Sequence, residues 1–427
     1  MVRSGILANR DFRLLFAGRS ISLVGDGAFL VAMAWQAYTL SNAPTALSLL
    51  GIAMTVPLIG LLLFGGVLSD RHRRRRVMLI ADLARAALLA LLGALAVSGA
   101  LRLWQMIVIV ALYGGAQAFF DPASDAILPE LLPESHLAQA NAFEQVVRPL
   151  ALRLGGPAIG GVLVGVLGAG SAFLADGATF IVSAATLWSM STRVSVAPGS
   201  APANQGRALR AEMREGWSYV RGHVWLWGTF ASAGLAYLLF MGPAEVLLPF
   251  MVKHELGGSG EQLGFVLGAG GLGSVATGLV MARSGLPTRS MTFIYVVWTL
   301  ATLAVAGYGL ATSVWELMLA SLIFNLLETA GTIVWATIKQ LHVPGHMLGR
   351  VSSLDWLISI GLLPVSFALT APISAALGVR ATLIAAGAAG AAATLGGLML
   401  RGMRGADYAA EPSTLTGISA AASTADA

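Results

Sequence analysis

The 427 residues are 56% hydrophobic and only 11% charged, with 51 glycines and no cysteine. An ordinary soluble domain carries about 25% charged residues, so this composition excludes one; the missing cysteines exclude disulfides, thiolate zinc sites and thiol catalysis. The net charge of +5 does not indicate nucleic acid, because the basic residues are spread over loop after loop without an aromatic-interleaved patch.

An apolar segment needs roughly 20 residues to cross a bilayer, and helices satisfy their own backbone there. The apolar runs predict twelve crossings. Six lie at 13–40, 45–69, 77–98, 103–125, 137–167 and 170–190, and six at 224–250, 260–283, 288–310, 313–337, 348–376 and 379–401. No cleavable signal is expected, since Asn9-Arg10-Asp11-Phe12-Arg13 runs straight into the first crossing. The expected organisation is a cytoplasmic segment 1–12, a six-helix bundle 13–190, a linker 191–223, a second bundle 224–401 and a disordered cytoplasmic tail 402–427. Orientation follows from the turn at 65–79, where Asp70 is followed by Arg71, His72, Arg73, Arg74, Arg75 and Arg76. Arg and Lys collect on the cytoplasmic side. With both termini inside, all but Arg102, Lys253 and Arg380 of the 26 Lys and Arg fall there. In the linker, Leu209, Met213, Trp217 and Val220 form one stripe, with Arg210, Arg214, Glu215 and Arg221 off it. That pattern predicts an amphipathic helix on the inner leaflet.

The two halves echo each other, Gly66-x-x-x-Asp70-Arg71 after the second crossing and Gly278-x-x-x-Ala282-Arg283 after the eighth. A weak repeat of this kind marks transporters with a binding site at mid-membrane between the halves. Three groups of residues carry a closer resemblance: Gly66-Val67-Leu68-Ser69-Asp70-Arg71-His72-Arg73-Arg74-Arg75; Gly156-Pro157-Ala158-Ile159-Gly160-Gly161 in the fifth crossing; and, after the fourth, Phe120-Asp121-Pro122-Ala123 and Leu128-Pro129-Glu130. Over residues 9–401 the chain resembles the major facilitator superfamily, and within it the drug:proton antiporters that include macrolide and siderophore exporters.

The resemblance implies an all-α membrane protein of two pseudo-symmetric six-helix bundles that is not an enzyme, needs no cofactor or metal and works as a monomer. Its partners would be a small-molecule substrate, protons and the bilayer of a bacterial-type plasma membrane. It implies that Gly66, Asp70, Arg71, Arg74 and Arg75 form a conformational latch. Asp70 would face the eleventh helix near Gly349-Arg350, and Arg74 or Arg75 would pair with Asp121 or Asp125. Gly156, Pro157, Gly160 and Gly161 would be the antiporter motif, in which small residues permit close helix approach.

An acid deep in a bilayer costs at least ~2.5–3.5 kcal/mol, which makes it a functional candidate. Asp26 and Glu328 lie mid-helix and Glu245 lies in the outer part of the seventh crossing; these are the proton-coupling or substrate-charge candidates. Stripes at helical spacing place Arg19, Ser22 and Met33 with Asp26, Tyr237 and Met241 with Glu245, and Asn325, Thr332 and Trp335 with Glu328. Tyr113 and Gln117 lead down to Asp121 in the fourth crossing. By analogy with the family, crossings 1, 4, 7 and 10 surround a cavity, which these residues would line. Asp176 and Asp355 are expected to be structural, and Trp225 and Trp227 to be interfacial. The reading is a secondary transporter exporting a hydrophobic or amphiphilic molecule against an inward proton flow. Proton-coupled uptake and lipid transport are its alternatives.

Overall fold

The computed structural model describes residues 8–133, 136, 140, 144, 147–191, 205–284 and 286–408. Twelve helices among them are long and apolar enough to cross a membrane. In chain order these are α1 (Arg10–Leu40), α2 (Pro44–Arg71), α3 (Arg74–Val97), α4 (Leu103–Leu131), α5 (Pro149–Leu167) and α6 (Ala169–Trp188). The linker helix (Gln205–Gly222) follows, and then α7 (Val224–Glu255), α8 (Gly260–Ser284), α9 (Ser290–Leu310), α10 (Val314–His342), α11 (Gly345–Gly361 and Leu363–Leu377) and α12 (Val379–Leu398).

Local chemistry sets several of these boundaries. The Asn9 side chain accepts hydrogen bonds from the amides of Asp11 (2.9 Å) and Phe12 (3.1 Å), satisfying donors that a helix start leaves open. Its own amide donates to the Leu131 carbonyl at 2.7 Å, tying the start of α1 to the end of α4. Between α5 and α6 the chain turns at Gly168 (φ 84°), and between α11 and α12 at Gly378 (φ 86°), a backbone region that side chains with a Cβ avoid. Pro149 opens a π-helical turn, Pro149–Gly155, that leads into the rest of α5. Leu362 interrupts α11, and Pro364 sits in the first turn of its second segment, where a missing amide does no harm. The sequence pattern had run through this break as one helix.

Helix packing repeats with a shift of six. In the first half α1 packs on α5 and α6, α2 on α4, and α3 on α4 and α6; in the second, α7 packs on α11 and α12, α8 on α10, and α9 on α10 and α12. The halves meet along two seams, α5 with α8 and α2 with α11. Along the first, a Cβ at Gly161 would stand 2.6 Å from the Cα of Gly264, and one at Gly271 would stand 2.1 Å from the carbonyl oxygen of Arg153. Any side chain at those positions would push the halves apart. At the second seam, a Cβ on Gly51 would meet the Phe367 ring at 2.8 Å.

At the end of the molecule where α1 turns into α2, α1 and α7 are clasped together. Here the Tyr38 hydroxyl donates to the Val246 carbonyl at 2.6 Å and its ring packs edge-on against Phe250 and His254. Lys253 Nζ lies 4.4 Å over the Trp35 ring and donates to the Trp35 carbonyl (3.1 Å) and to Thr39 Oγ1 (2.6 Å). We call this the far end and the opposite one, with the arginine-rich turn and the linker helix, the linker end.

Two expectations are corrected by this fold. Residues 402–408 do not belong to a disordered tail: Met403 is fully buried, and the Asp407 carboxylate accepts from the Met291 amide at 2.6 Å, capping the start of α9. The remainder of that tail lies outside the described residues. Trp225 is not an interfacial residue but is buried against Trp335 in the core of the second half, while Trp227 is exposed.

Candidate functional site

Asp26 of α1 is half-buried, and its Oδ1 accepts from the Tyr113 hydroxyl of α4 at 2.5 Å. Two candidates read from separate stripes are thus one pair. Behind them lies a charged cluster that periodicity did not expose. Asp82 and Arg85 of α3 form an ion pair at 2.5 Å, both fully buried, and Ser183 of α6 donates to the other Asp82 oxygen at 2.7 Å. The Arg85 guanidinium is clamped between the Phe120 and Phe180 rings at 4.3 and 4.2 Å, an arrangement that uses the negative faces of both. Arg85 also lies within electrostatic reach of Tyr113, Asp26 and Asp121. Asp176 of α6 is fully buried against Gly25, with Thr179 Oγ1 donating to it at 3.1 Å. Arg85 was open to sequence reading as a partner for the candidate acids, but Asp82, on an otherwise apolar helix, lacks the long polar stripe of the cavity helices and was missed.

At the centre of the molecule one residue crosses the seam. Arg153, from the π-helical turn of α5, places its NH1 3.7 Å from the Glu328 carboxylate of α10. Its guanidinium is half exposed, and Glu245 and Tyr237 of α7 are within its electrostatic reach. Thr332, one turn along α10, donates to the other Glu328 oxygen at 3.0 Å. Glu245 is itself exposed. Two candidate acids from the second half therefore share one cation from the first. Arg153 sat unremarked in the sequence, beside the glycine motif on the same helix.

The glycine motif has two faces. Gly156 and Gly160 take the backbone of α1 at Gly27 and Ala28, where added Cβ atoms would come within 2.6 and 2.5 Å. Gly161 takes α8. The motif packs α5 between the candidate-bearing helix of its own half and the other half.

Several expected positions differ. Ser22, Met33 and Tyr113 are buried in helix packing rather than open on a cavity wall. Arg19 is turned away from Asp26, pairing with Glu144 at 2.8 Å and donating to Ser124. Trp335 packs against Trp225, Phe230 and Trp298 and donates to Asp355 at 2.9 Å. Being buried inside the second half, it is not on a cavity wall. Asp355, which also pairs with Lys339, clips α11 to α10. Asn325 donates back to its own helix at Ser321; Tyr237 and Met241 of α7 are half-buried. Gln117 reaches Asp121 at 3.4 Å. Arg74 does not reach Asp121 but pairs with Glu130, and Arg75 donates to the Trp188 carbonyl at the end of α6. The reason is height: at 1.5 Å per residue, Asp121 sits about 15 Å above the end of α4, whereas Glu130 is level with the start of α3. The side chains of Asp70, Arg71 and Asp125 lie outside the described ones.

Residues 5–416 match the model of a family described as transmembrane secretion effectors. The chain belongs to that family, within the major facilitator superfamily. The transporter is 26% identical to the multidrug efflux pump Tap of Mycolicibacterium fortuitum over 387 residues, covering 87% of this chain and 91% of Tap. It is 22% identical to macrolide efflux protein A of Streptococcus pyogenes, over 86% of this chain and 90% of that one. Among solved structures, the nucleoside transporter NupG superposes with a TM-score of 0.65 at 11% identity, covering 94% of this transporter and 98% of NupG. A bacterial homologue of the iron transporter ferroportin, in an inward-facing state, superposes at 0.64 with 16% identity, covering 92% and 100%. These structures establish the fold of the transporter.

Proposed function

We propose that this transporter exports a hydrophobic or amphiphilic small molecule from the cytoplasm in exchange for protons, with Asp26, Glu328 and Glu245 as the groups that carry proton or substrate charge. The observation that carries the reading is the ion pair between Arg153 and Glu328, which spans the two halves at the centre while the far end is clasped. Glu245, Thr332 and half of Arg153 are exposed; with the far end held by these contacts, the opening would be toward the linker end, which the arginine-rich turn assigns to the cytoplasm. The efflux names of the relatives favour export.

The mechanism follows from charge. A carboxylate held by a cation stays ionised, and one that loses its cation in a low-dielectric setting takes up a proton. Glu328 paired with Arg153 ties the halves together; a proton or a cationic group arriving at Glu328 unties them and lets them rock about the α5–α8 seam. A proton moving inward supplies about 2.3 kcal/mol per 100 mV. Hydrogen-bonded Asp26 offers a second proton site in the first half.

The test is transport in proteoliposomes with a panel of fluorescent dyes and macrolides. Accumulation is expected to collapse when the proton gradient is dissipated and to be lost in Asp26→Asn or Glu328→Gln. Movement of the substrate in the same direction as the proton would make the protein an importer and refute the reading.

A further inference from the structure

A cavity of about 450 Å³ opens at the linker end of the second half, apart from the central acids. Trp217 and Arg221 of the linker helix stand at its mouth. Trp227, Phe230, Ala231, Gly234 and Leu235 of α7 form its floor, and Ile358 and Leu362 of α11 its wall. Leu362, where α11 is interrupted, lies at its edge. Beyond the break α11 lies tight on α7, where the Gly242 amide donates to Ser366 at 2.8 Å. On the linker side a Cβ on Gly234 would stand 3.0 Å from Ile358 and 3.4 Å from Leu362.

We propose that this groove holds one anionic phospholipid of the leaflet beside the linker helix, its phosphate on Arg221 and one acyl chain along α7. Three observations choose that occupant. The lining is apolar apart from its mouth, and Trp217 and Leu235 are 45% and 49% exposed, so an apolar chain is what it fits. From Trp227 to Leu235 the groove runs about 12 Å along α7, close to the depth of one leaflet of a ~30 Å hydrocarbon core, with tryptophans at the headgroup level where such rings settle. Charge selects the headgroup. Arg350, the neighbouring cation, is neutralised by Glu215 at 2.7 Å, whereas among the described residues no acid pairs with Arg221. Arg214, exposed two turns earlier on the same helix, adds positive charge on that side of the linker helix. This assignment stands apart from proton coupling and from the identity of the exported molecule.

Native mass spectrometry of the full-length protein in detergent, titrated with phosphatidylglycerol or phosphatidylcholine, tests it. The wild type is expected to retain a single phosphatidylglycerol in preference to phosphatidylcholine. Arg221→Gln, at an exposed position that leaves packing intact, is expected to weaken phosphatidylglycerol binding about fivefold with little change for phosphatidylcholine, the worth of one cation at a membrane surface. Ala231→Trp, which fills the floor, is expected to abolish the tight adduct of either lipid while the melting temperature in lipid-free detergent is kept. Equal retention of the two lipids by the wild type, or retention unchanged in both variants, would overturn the proposal.

Discussion

A guanidinium buried at Arg85 must find its compensation inside the first half, and it finds it in Asp82, two aromatic faces and the field of Asp26 and Asp121. Removing one member of a buried pair leaves the other charge stranded, at about 3–5 kcal/mol. Arg85→Met is therefore expected to lower the unfolding free energy in detergent by that amount. The double variant Arg85→Met with Asp82→Asn is expected to recover most of it; a double variant as unstable as the single one would show that the pair is not the source. At this scale the sequence was partly legible. Asp26, Glu328 and Glu245 stood out because an acid within a membrane-spanning run is costly, and the structure sets Tyr113 against the first of them. Arg153 was invisible as a functional partner because the count of basic residues takes each arginine only as an orientation signal. What gives it meaning is the helix it faces, and that is a property of packing.

Among the elements, α5 is the one asked to fit two surfaces at once. Its glycines approach α1 on one side and α8 on the other, with no room for a Cβ on either. Gly161→Leu is expected to reduce transport at least about tenfold, since overpacking costs roughly 1–3 kcal/mol and here falls on the seam about which the halves rock. Gly60→Leu, at a position with nothing within 4 Å of its Cβ direction, is expected to transport normally and serves as the control. Equal loss in both would argue that glycine matters in these helices for a reason other than the seam. The glycine run was readable as close packing, but not its partners: one-dimensional spacing gives a face and not the helix opposite it. For the same reason the break in α11 escaped notice, because Pro364 two residues past Leu362 reads equally well as a kink within one helix and as the start of a second segment.

For the whole molecule, the packing scheme repeated with a shift of six and the matching positive-φ glycines at Gly168 and Gly378 describe two copies of one bundle joined along two seams. The number of crossings and the repeat were legible because hydropathy and the Arg/Lys asymmetry act over tens of residues, where single errors average out. Which end is clasped was not, since it depends on a few contacts between helices far apart in sequence. The Lys253 clasp on Trp35 and Thr39 is one of them. A cation–π contact of this kind contributes about 0.5–2 kcal/mol, so Lys253→Gln is expected to raise the population open at the far end several-fold. The chain has no cysteine, so a single introduced thiol at Ala37, buried at the same end of α1 and outside the clasp, reports far-end access against no background. Its labelling rate is expected to rise in Lys253→Gln, and an unchanged rate would remove Lys253 from the closure.

The central claim is that ionisable groups where the halves meet exchange protons for cargo. Proton release on substrate binding reads it directly: purified transporter in weakly buffered detergent solution with a pH-sensitive dye, titrated with a substrate found in the transport panel. Wild-type protein is expected to release protons as the substrate binds, and Asp26→Asn or Glu328→Gln to release fewer or none while still binding. Substrate binding with no proton released by the wild type, or with release unchanged in both variants, would contradict the account.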